Sequence, residues 1–314
     1  MRADASLPPR KIALIGATGF IGRRLAAHLT NRGDVVLALV RSRQSPHLAQ
    51  LPPGILIREV RLDADNPALA DALAEADAVI YAAGSVRGCG LNDFSPANVR
   101  GVAAVAGLLS ARQPFVLLSS LAASQADLSP YAASKRLGER VLESADQVFP
   151  WTILRPTAVY GPGDRELLPV FSFMRRGFFA TPAGPGQRLS FIHVDDLCRG
   201  ILAALDHFPA VSNQTYSLDD GTPRGYDRSA LAMSLRPGRR MRTVRVPRPA
   251  LSAIAQLNLR LAKLFRYAPM LTPGKVNELT HPSWLGDNGP FTAKTGWRPE
   301  IDLAQGTRAL FAKE

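Results

Sequence analysis

Short apolar runs alternate with longer amphipathic stretches along the first 160 residues of the chain. The apolar runs predict strands at Lys11–Ile15, Val35–Val40, Ile55–Arg61, Ala78–Ala82, Phe115–Ser119 and Trp151–Leu154. The stretches between them repeat apolar residues at helical spacing and predict helices at Ile21–Thr30, Pro67–Ala76, Pro96–Ala111 and Tyr131–Ala145. This alternation predicts an α/β fold, a doubly wound parallel sheet with helices on both faces.

The pattern changes after Gly163, where turn residues and scattered Phe and Arg replace it. Phe191–Val194 and Asp196–Leu205 predict a strand and a helix that return to the sheet, and a long helix follows at Pro249–Arg266. We therefore expect two units, a sheet domain of residues 1–163 and 190–220 and a smaller C-terminal lobe of residues 164–189 and 221–314.

Composition indicates a globular protein that works in a reducing compartment. The 314 residues are 46% apolar and 20% charged, which is enough to bury a sizeable core. Two cysteines, Cys89 and Cys198, are too few for a disulfide framework. No apolar stretch approaches the length of a membrane span, and Met1–Lys11 lacks the apolar segment of a signal peptide. We expect a cytoplasmic protein, with peripheral contact at the inner membrane left open.

The net charge of +12 is concentrated in one segment. Between Arg228 and Asn277 there are 11 Lys and Arg residues and no Asp or Glu. Such a segment indicates an anionic partner, namely acidic lipid headgroups, a phosphorylated substrate or nucleic acid. Nucleic acid is not expected, because the segment lacks a recognised module and interleaved stacking aromatics.

The helix predicted at Pro249–Arg266 has two interpretations. Apolar residues recur on one side, with the basic residues Arg260, Lys263 and Arg266 beside them. The apolar residues are Leu251, Ile254, Leu257, Leu261, Leu264 and Phe265. Such a helix rests on an anionic lipid surface, or it packs on the protein as a lid.

A glycine-rich turn directly follows the first predicted strand. In Gly16-Ala17-Thr18-Gly19-Phe20-Ile21-Gly22 the first glycine permits a tight turn, the second lets the backbone approach a pyrophosphate, and the third lets helix and strand pack closely. The helix that follows directs its N–H groups at phosphates. In this position the motif predicts a Rossmann dinucleotide-binding domain, with Gly16, Thr18, Gly19, Phe20, Ile21 and Gly22 at the cofactor.

The residues after the second strand favour NADP over NAD. An NAD site needs an acid there for the ribose 2′-hydroxyl, whereas this chain has Arg41 and Arg43. Both arginines suit a 2′-phosphate, and Arg23 is placed to help. NAD remains possible, since the two arginines also fit a solvated loop.

Tyr131 and Lys135 lie four residues apart on a predicted helix and therefore share a face. We expect Lys135 and an oxidised nicotinamide to lower the pKa of Tyr131 so that it exchanges a proton with substrate. Ser120, at the end of the fifth strand, would hydrogen-bond the same substrate oxygen, and Lys135 would also hold the nicotinamide ribose. Ser120, Tyr131 and Lys135 are the candidate catalytic group.

Together with Leu154-Arg155-Pro156, Val159-Tyr160-Gly161-Pro162-Gly163-Asp164 and Phe191-Ile192-His193-Val194-Asp195-Asp196, these motifs resemble the extended short-chain dehydrogenase/reductase family, also called the NAD-dependent epimerase/dehydratase family. The resemblance implies that His193, Asp195 and Asp196 are structural. No metal cluster is visible in the sequence, so no metal is expected. The resemblance also implies a contact of Asp63 with the adenine, and further cofactor contacts from Ala64, Ala82, Ala83, Gly84, Asn98, Pro156 and Val159.

Ser120 and Tyr131 are only 11 residues apart. This short link is similar to an atypical branch that includes a complex I accessory subunit and bacterial keto-sphingolipid reductases. It favours NADPH-dependent reduction of a ketone on a lipid such as a 3-keto-ceramide or 3-ketosphinganine. The alternative is a sugar-nucleotide epimerase or dehydratase, in which Arg188 of Gly186-Gln187-Arg188 would hold a diphosphate. A non-catalytic nucleotide-binding subunit is least favoured, because Tyr131 and Lys135 are both present.

Overall fold

The predicted alternation forms one parallel sheet in the computed structural model, which describes residues 9–144, 147–184 and 186–312. Residues 1–8, which include most of the segment searched for a signal peptide, lie outside the described residues. So do Ala145, the predicted end of a helix, and residues 313–314 of the expected C-terminal lobe.

The strands are β1 (Lys11–Ile15), β2 (Val35–Val40), β3 (Leu56–Glu59), β4 (Ala78–Tyr81), β5 (Phe115–Leu118), β6 (Trp151–Pro156), β7 (Ala158–Tyr160), β8 (Phe178–Thr181), β9 (Arg188–Leu189), β10 (Phe191–His193), β11 (Gln214–Leu218), β12 (Arg242–Arg245) and β13 (Ser283–Trp284). The α-helices are α1 (Phe20–Arg32), α2 (Pro67–Ala74), α3 (Leu91–Ser95), α4 (Gly101–Ala106), α5 (Pro130–Glu143), α6 (Leu168–Arg175), α7 (Val194–Asp206), α8 (Phe208–Val211), α9 (Arg228–Leu235), α10 (Arg248–Phe265), α11 (Pro273–Thr280), α12 (Gly289–Thr295) and α13 (Leu303–Phe311). Short 3₁₀ segments cover Pro46–Gln50 and Leu121–Leu128.

Seven strands of the described chain form the sheet, in the order β11-β6-β5-β4-β1-β2-β3 and all parallel. The chain reverses its direction of winding between β1 and β4, which pair from Ile12↔Ala78 to Ile15↔Tyr81. Parallel strands end at the same edge, and ligands of doubly wound sheets bind at this reversal point. The predicted α/β Rossmann class is confirmed.

Each face of the sheet has its own core, and β1 contributes to both. Ile12 and Leu14 pack with α1 and α7, whereas Ala13 and Ile15 pack with α2, α4 and α5. Successive side chains of a strand point to opposite faces, so an unbroken apolar run is needed when helices cover both sides.

The strand predicted at Phe191–Val194 was expected to return to the main sheet, but it does not join it. β10 pairs with β7 outside the main sheet, and β11 instead extends the sheet beside β6. In β11 only Tyr216 and Leu218 are buried, while Thr215 and Ser217 are half-buried. An edge strand with this polar alternation lacks the apolar run by which the other strands were predicted.

The helix predicted at Pro96–Ala111 differs from the structure at both ends. The helical region begins earlier, with α3, and it ends earlier, where α4 stops at Ala106. Between them Pro96–Arg100 forms a π-helical turn. Proline has no N–H to continue the i→i−4 ladder, and a wider turn accommodates its ring. This turn carries Asn98 toward α5.

A third hydrophobic cluster joins the expected C-terminal lobe to the sheet domain. Aromatic side chains of Tyr160, Phe171, Phe191 and Tyr226 pack edge to face there, together with apolar residues of α9 and α13. Over the described residues, no helix combines the length and apolar character needed to cross a bilayer.

Candidate active site

The glycine turn is built from close backbone approaches. Gly16 has φ +91°, and a methyl group placed on it would lie 2.5 Å from the backbone nitrogen of Ala83. A methyl group on Gly22 would lie 2.0 Å from the carbonyl oxygen of Gly16. Both positions therefore require glycine. The turn brings the start of α1 against the loop that follows β4.

The N-terminus of α1 is suited to an anion. Its N-cap, Gly19, has no side chain to satisfy the first N–H groups, and the first turn contains no acid. These N–H groups and the helix dipole attract phosphate, so the turn fits the pyrophosphate of a dinucleotide. Arg23 donates to the carbonyl of Thr18 at 2.7 Å. The Arg23 side chain thus lies beside the turn, where Phe20 and Ile21 pack partly buried against the core.

Arg41 and Arg43 are both exposed after β2. The Arg43 guanidinium donates to the carbonyl of Ile57 at 2.9 Å, and its backbone N–H donates to the Glu59 carboxylate at 3.0 Å. Glu59 ends β3 in register with Val40. Glu59 was not predicted as a ribose ligand, because it is far from β2 along the chain and only parallel pairing brings the ends of β2 and β3 together.

The cofactor residues predicted in the loops after β3 and β4 form two separate groups. Ala82, Ala83 and Gly84 follow β4, and a methyl group on Gly84 would lie 3.2 Å from Nζ of Lys135. Asp63 instead pairs with Arg61 at 3.8 Å on an exposed surface, and Ala64 beside it is also exposed. The first group adjoins Lys135, whereas the second lies on the surface after β3.

Asn98 joins the loop after β4 to helix α5. Its Oδ1 accepts from the Ser85 N–H at 3.0 Å, and its Nδ2 donates to the Ser85 carbonyl at 3.1 Å and to Oγ of Ser134 at 2.8 Å. Ser134 Oγ in turn donates to the carbonyl of Tyr131 at 2.7 Å. Asn98 is therefore buried behind the site and positions the turn that carries Tyr131.

Tyr131 and Ser120 meet at the carboxyl edge of the sheet. Tyr131 is in the first turn of α5, which Ser129 caps, and Phe94 packs edge-on against the Tyr131 ring with centroids 5.9 Å apart. Burial raises the pKa of Tyr131 to about 12; a hydrogen bond with the Ser120 side chain opposes this, and the Glu278 charge adds to it. The expected lowering of this pKa by Lys135 is not found, because burial dominates.

Lys135 is buried, and its Nζ donates to the carbonyl of Leu118 at 3.0 Å. Burial lowers the pKa of Lys135 to about 8, and the negative charge of Glu139 opposes the shift. The ammonium therefore remains largely protonated near neutral pH and begins to lose its proton just above it.

Glu139 is a buried carboxylate that was not among the predicted site residues. It accepts from Ser119 Oγ at 2.6 Å, from Arg155 at 2.8 and 2.6 Å, and from Arg136 at 3.0 Å. Its position four residues after Lys135 was a usable signal. The adjacent serines thus divide, since Ser119 donates to Glu139 behind the site, whereas Ser120 lies beside Tyr131 and its Oγ accepts from the Ala122 N–H at 3.2 Å.

Pro156 and Val159 lie on either side of an orphaned hydroxyl. Pro156 ends β6 and is buried, and Val159 in β7 is partly buried. Between them Thr157 Oγ1 is buried without a hydrogen-bond partner among the described residues. Buried polar groups are normally satisfied, so this hydroxyl suits a ligand group.

The C-terminal lobe covers the start of α5. Ser129 Oγ donates to the Glu278 carboxylate of α11, and Asn277 donates to the carbonyl of Leu128 at 3.1 Å. Beyond α11, an open cleft is lined by Gln187, Tyr226, Arg228 and Arg245, among others. Arg188, expected at a diphosphate, instead pairs with Asp227 at 3.2 Å.

His193, Asp195 and Asp196 connect elements of the fold. The imidazole of His193 caps α7, Asp195 pairs with Arg24 and His28 of α1, and Asp196 accepts from the backbone of Glu300 and Ile301 at 2.9 Å. Within the part of the chain that the structure describes, no cluster of His, Cys, Asp and Glu is suited to a metal ion.

Comparison with known proteins identifies the family. Residues 12–218 match the NAD dependent epimerase/dehydratase family. The chain is 32% identical to a ceramide reductase from Caulobacter vibrioides over 89% of this chain and 87% of that protein. It is 28% identical to a 2-alkyl-3-oxoalkanoate reductase from Stenotrophomonas maltophilia over 96% and 98% of the two chains. UDP-glucose 4-epimerase from Thermotoga maritima shares the fold, with a TM-score of 0.71 at 19% identity over 96% and 99%.

Proposed function

The chain belongs to the NAD dependent epimerase/dehydratase family, and we propose that within this family of NAD(P)-dependent oxidoreductases it reduces a ketone on a lipid to an alcohol with NADPH. The proposal is carried by the cluster of Ser120, Tyr131 and Lys135 beside the glycine turn. A substrate like 3-keto-ceramide or 3-ketosphinganine is supported by the two relatives named as reductases of a ceramide and of a 2-alkyl-3-oxoalkanoate.

The proton for the reduction comes from Tyr131. With a pKa of about 12 its phenol is protonated at neutral pH, so it donates to the carbonyl oxygen while Ser120 hydrogen-bonds the same atom. When bound, the reduced nicotinamide supplies the hydride that the carbonyl carbon gains. The ammonium of Lys135 stabilises the resulting phenolate until solvent reprotonates it.

Particular residues would hold the cofactor. The backbone at Gly16, Thr18, Gly19, Phe20, Ile21 and Gly22 would bind the pyrophosphate. Lys135 would bind the nicotinamide ribose, and the unpartnered Thr157 hydroxyl, between Pro156 and Val159, would satisfy the carboxamide. Exposed Arg41 and Arg43 favour the 2′-phosphate of NADPH. Glu59 is the acid that would favour NAD in its place.

A cofactor-consumption assay tests the reaction. Purified enzyme with NADPH and a 3-keto-ceramide in detergent micelles should oxidise NADPH and form the alcohol in equal amounts. Sugar-nucleotide isomerisation without net cofactor turnover would contradict the proposal. Binding of NADPH without turnover of either substrate class would instead support a nucleotide-binding subunit.

A sugar-nucleotide epimerase or dehydratase is the second candidate. One observation favours it: the cleft in the C-terminal lobe presents Arg228 and Arg245, which suit a diphosphate. An Arg228→Gln variant distinguishes the two candidates. It should lose UDP-sugar binding if the cleft holds a diphosphate, and it should leave keto-lipid reduction unchanged if our main proposal is correct.

A further inference from the structure

Helix α10 leaves much of its apolar face uncovered. Leu257, Leu264 and Phe265 are 58%, 72% and 69% exposed, and Ile254 and Leu261 are also exposed. These residues recur three or four positions apart, so they form one stripe along the helix. The side that packs on the protein is made by Ala255 and Ala262, which are fully buried. The helix is thus held by small residues and turns its large ones outward.

Basic side chains surround this stripe. Arg260, Lys263 and Arg266 are exposed on or directly after α10, and Arg245 and Arg248 are exposed at its start. Among the salt bridges of the described residues, the segment Arg228–Asn277 takes part in one, between Lys275 and Glu278. The positive charge around the stripe is therefore largely not neutralised by the protein.

The stripe is one layer from the candidate active site. Arg248 and Asn258 of α10 donate to Asn277 and to the carbonyl of Leu271, which fixes α10 to α11. Helix α11 in turn contacts the segment that starts α5. Near the C-terminal end of α10, Lys263 lies close to Cys89 in the loop after β4. Burial raises the pKa of the Cys89 thiol, and the positive charge of Lys263 opposes that rise.

We propose that α10 docks this protein on an anionic lipid bilayer, with the stripe of Ile254, Leu257, Leu261, Leu264 and Phe265 in the headgroup region and the basic residues on acidic headgroups. This surface deepens the proposed function, and it rests on that function for the lipid nature of the substrate. A keto-lipid leaving the bilayer beside α10 would meet the edge of the sheet where Tyr131 lies.

Charge separates the bilayer from a second copy of the chain as the occupant. Two copies meeting through α10 would bring two basic rims together, and like charges at an interface oppose association. An acidic bilayer instead matches both the apolar stripe and its rim, and each basic residue near such a surface adds attraction.

Co-sedimentation with vesicles tests the docking. The wild type should pellet with phosphatidylglycerol/phosphatidylcholine vesicles at about 0.1 M salt, remain in the supernatant with phosphatidylcholine alone, and be released at about 1 M salt. Leu264→Ser should weaken the binding, whereas the matched Val148→Ser, at a residue 70% exposed on the sheet domain, should not. Arg260→Gln, Lys263→Gln and Arg266→Gln together should weaken it about tenfold or more.

The charge control replaces three exposed arginines of other elements, Arg112, Arg140 and Arg308, with Gln. Equal loss in this control would overturn the proposal, because net charge alone would then explain binding. A wild type that stays in the supernatant with acidic vesicles yet reduces keto-lipid in micelles would overturn docking and leave the proposed function standing. Vesicle binding by a wild type that does not reduce keto-lipid would overturn the proposed function and leave docking standing. Sedimentation velocity completes the test, since self-association abolished by Leu264→Ser would assign the stripe to a second copy.

Discussion

The candidate active site and helix α10 treat charge in opposite ways. Lys135 in the site and Glu139 behind it are both buried, and hydrogen bonds from Ser119, Arg136 and Arg155 satisfy the carboxylate. Around α10 the charges are exposed and of one sign. A buried charge is costly unless it is paired, so the protein supplies the partners itself. Exposed charges of one sign require no internal partner, and the proposed docking on an acidic bilayer gives them an external one.

The largest effect should come from Tyr131→Phe in the buried site. We expect kcat for keto-lipid reduction to fall 10²–10⁴-fold because the proton donor is lost, while cofactor affinity is kept. The matched control is Tyr267→Phe, which removes a hydroxyl that donates to Asn258 of α10 and is not part of the candidate catalytic group. Steady-state kinetics and a cofactor titration measure both. If Tyr131→Phe kept more than about a tenth of wild-type kcat, Tyr131 would not be the proton donor.

Gly22→Ala in the tightly packed turn should destabilise the protein more than Gly184→Ala in the open C-terminal lobe. The added methyl group would meet the Gly16 carbonyl at 2.0 Å, and we expect a loss of about 1–3 kcal/mol in the free energy of unfolding. The methyl group added by Gly184→Ala would have no atom within 4 Å. We expect this variant to change the free energy of unfolding by less than about 0.5 kcal/mol. Urea denaturation of both variants measures the difference. Equal stabilities would mean that the turn is looser than described.

Arg41→Ala with Arg43→Ala tests whether exposed arginines on the sheet domain also serve an external anion. We expect NADPH affinity to fall about tenfold relative to NADH affinity, because a charge-assisted bond is lost. Arg239→Ala with Arg240→Ala, in the basic segment, should leave both affinities unchanged. Titration calorimetry reports the two constants. A wild type that binds both cofactors equally would favour Glu59 as the ribose ligand.

The smallest effect should be a shift in the pH profile caused by Glu139→Gln. The pKa of Lys135 is about 8, and reduction uses its protonated form, so kcat/KM should fall as the pH rises through that value. The negative charge of Glu139 raises the pKa of Lys135. Glu139→Gln removes that charge and lowers this pKa further, so kcat/KM should begin to fall at a lower pH than in the wild type. Glu143→Gln, at the other carboxylate bonded to Arg136, is the control. An unmoved profile would remove Glu139 from the positioning of Lys135.

Much of the sheet domain could be predicted from local sequence. The runs at Lys11–Ile15 and Val35–Val40 are strands with the predicted bounds, because a strand buried on both faces must be apolar throughout. The edge strand β11 was not predicted, since only alternate side chains face the core. Pro96 was expected to begin a helix, but the chain is already helical at Leu91 and widens around it.

The sequence alone determined the fold class, the glycine turn and the grouping of Tyr131 with Lys135, because strand periodicity and helical spacing are local properties. Tertiary structure decided how the Glu139 carboxylate is satisfied, with Ser119 among its donors, and that Glu59 lies beside Arg43. It also decided that α10 packs through Ala255 and Ala262 and exposes its larger apolar residues. An amphipathic pattern specifies that a helix has two faces, but only the neighbouring elements determine which face they cover.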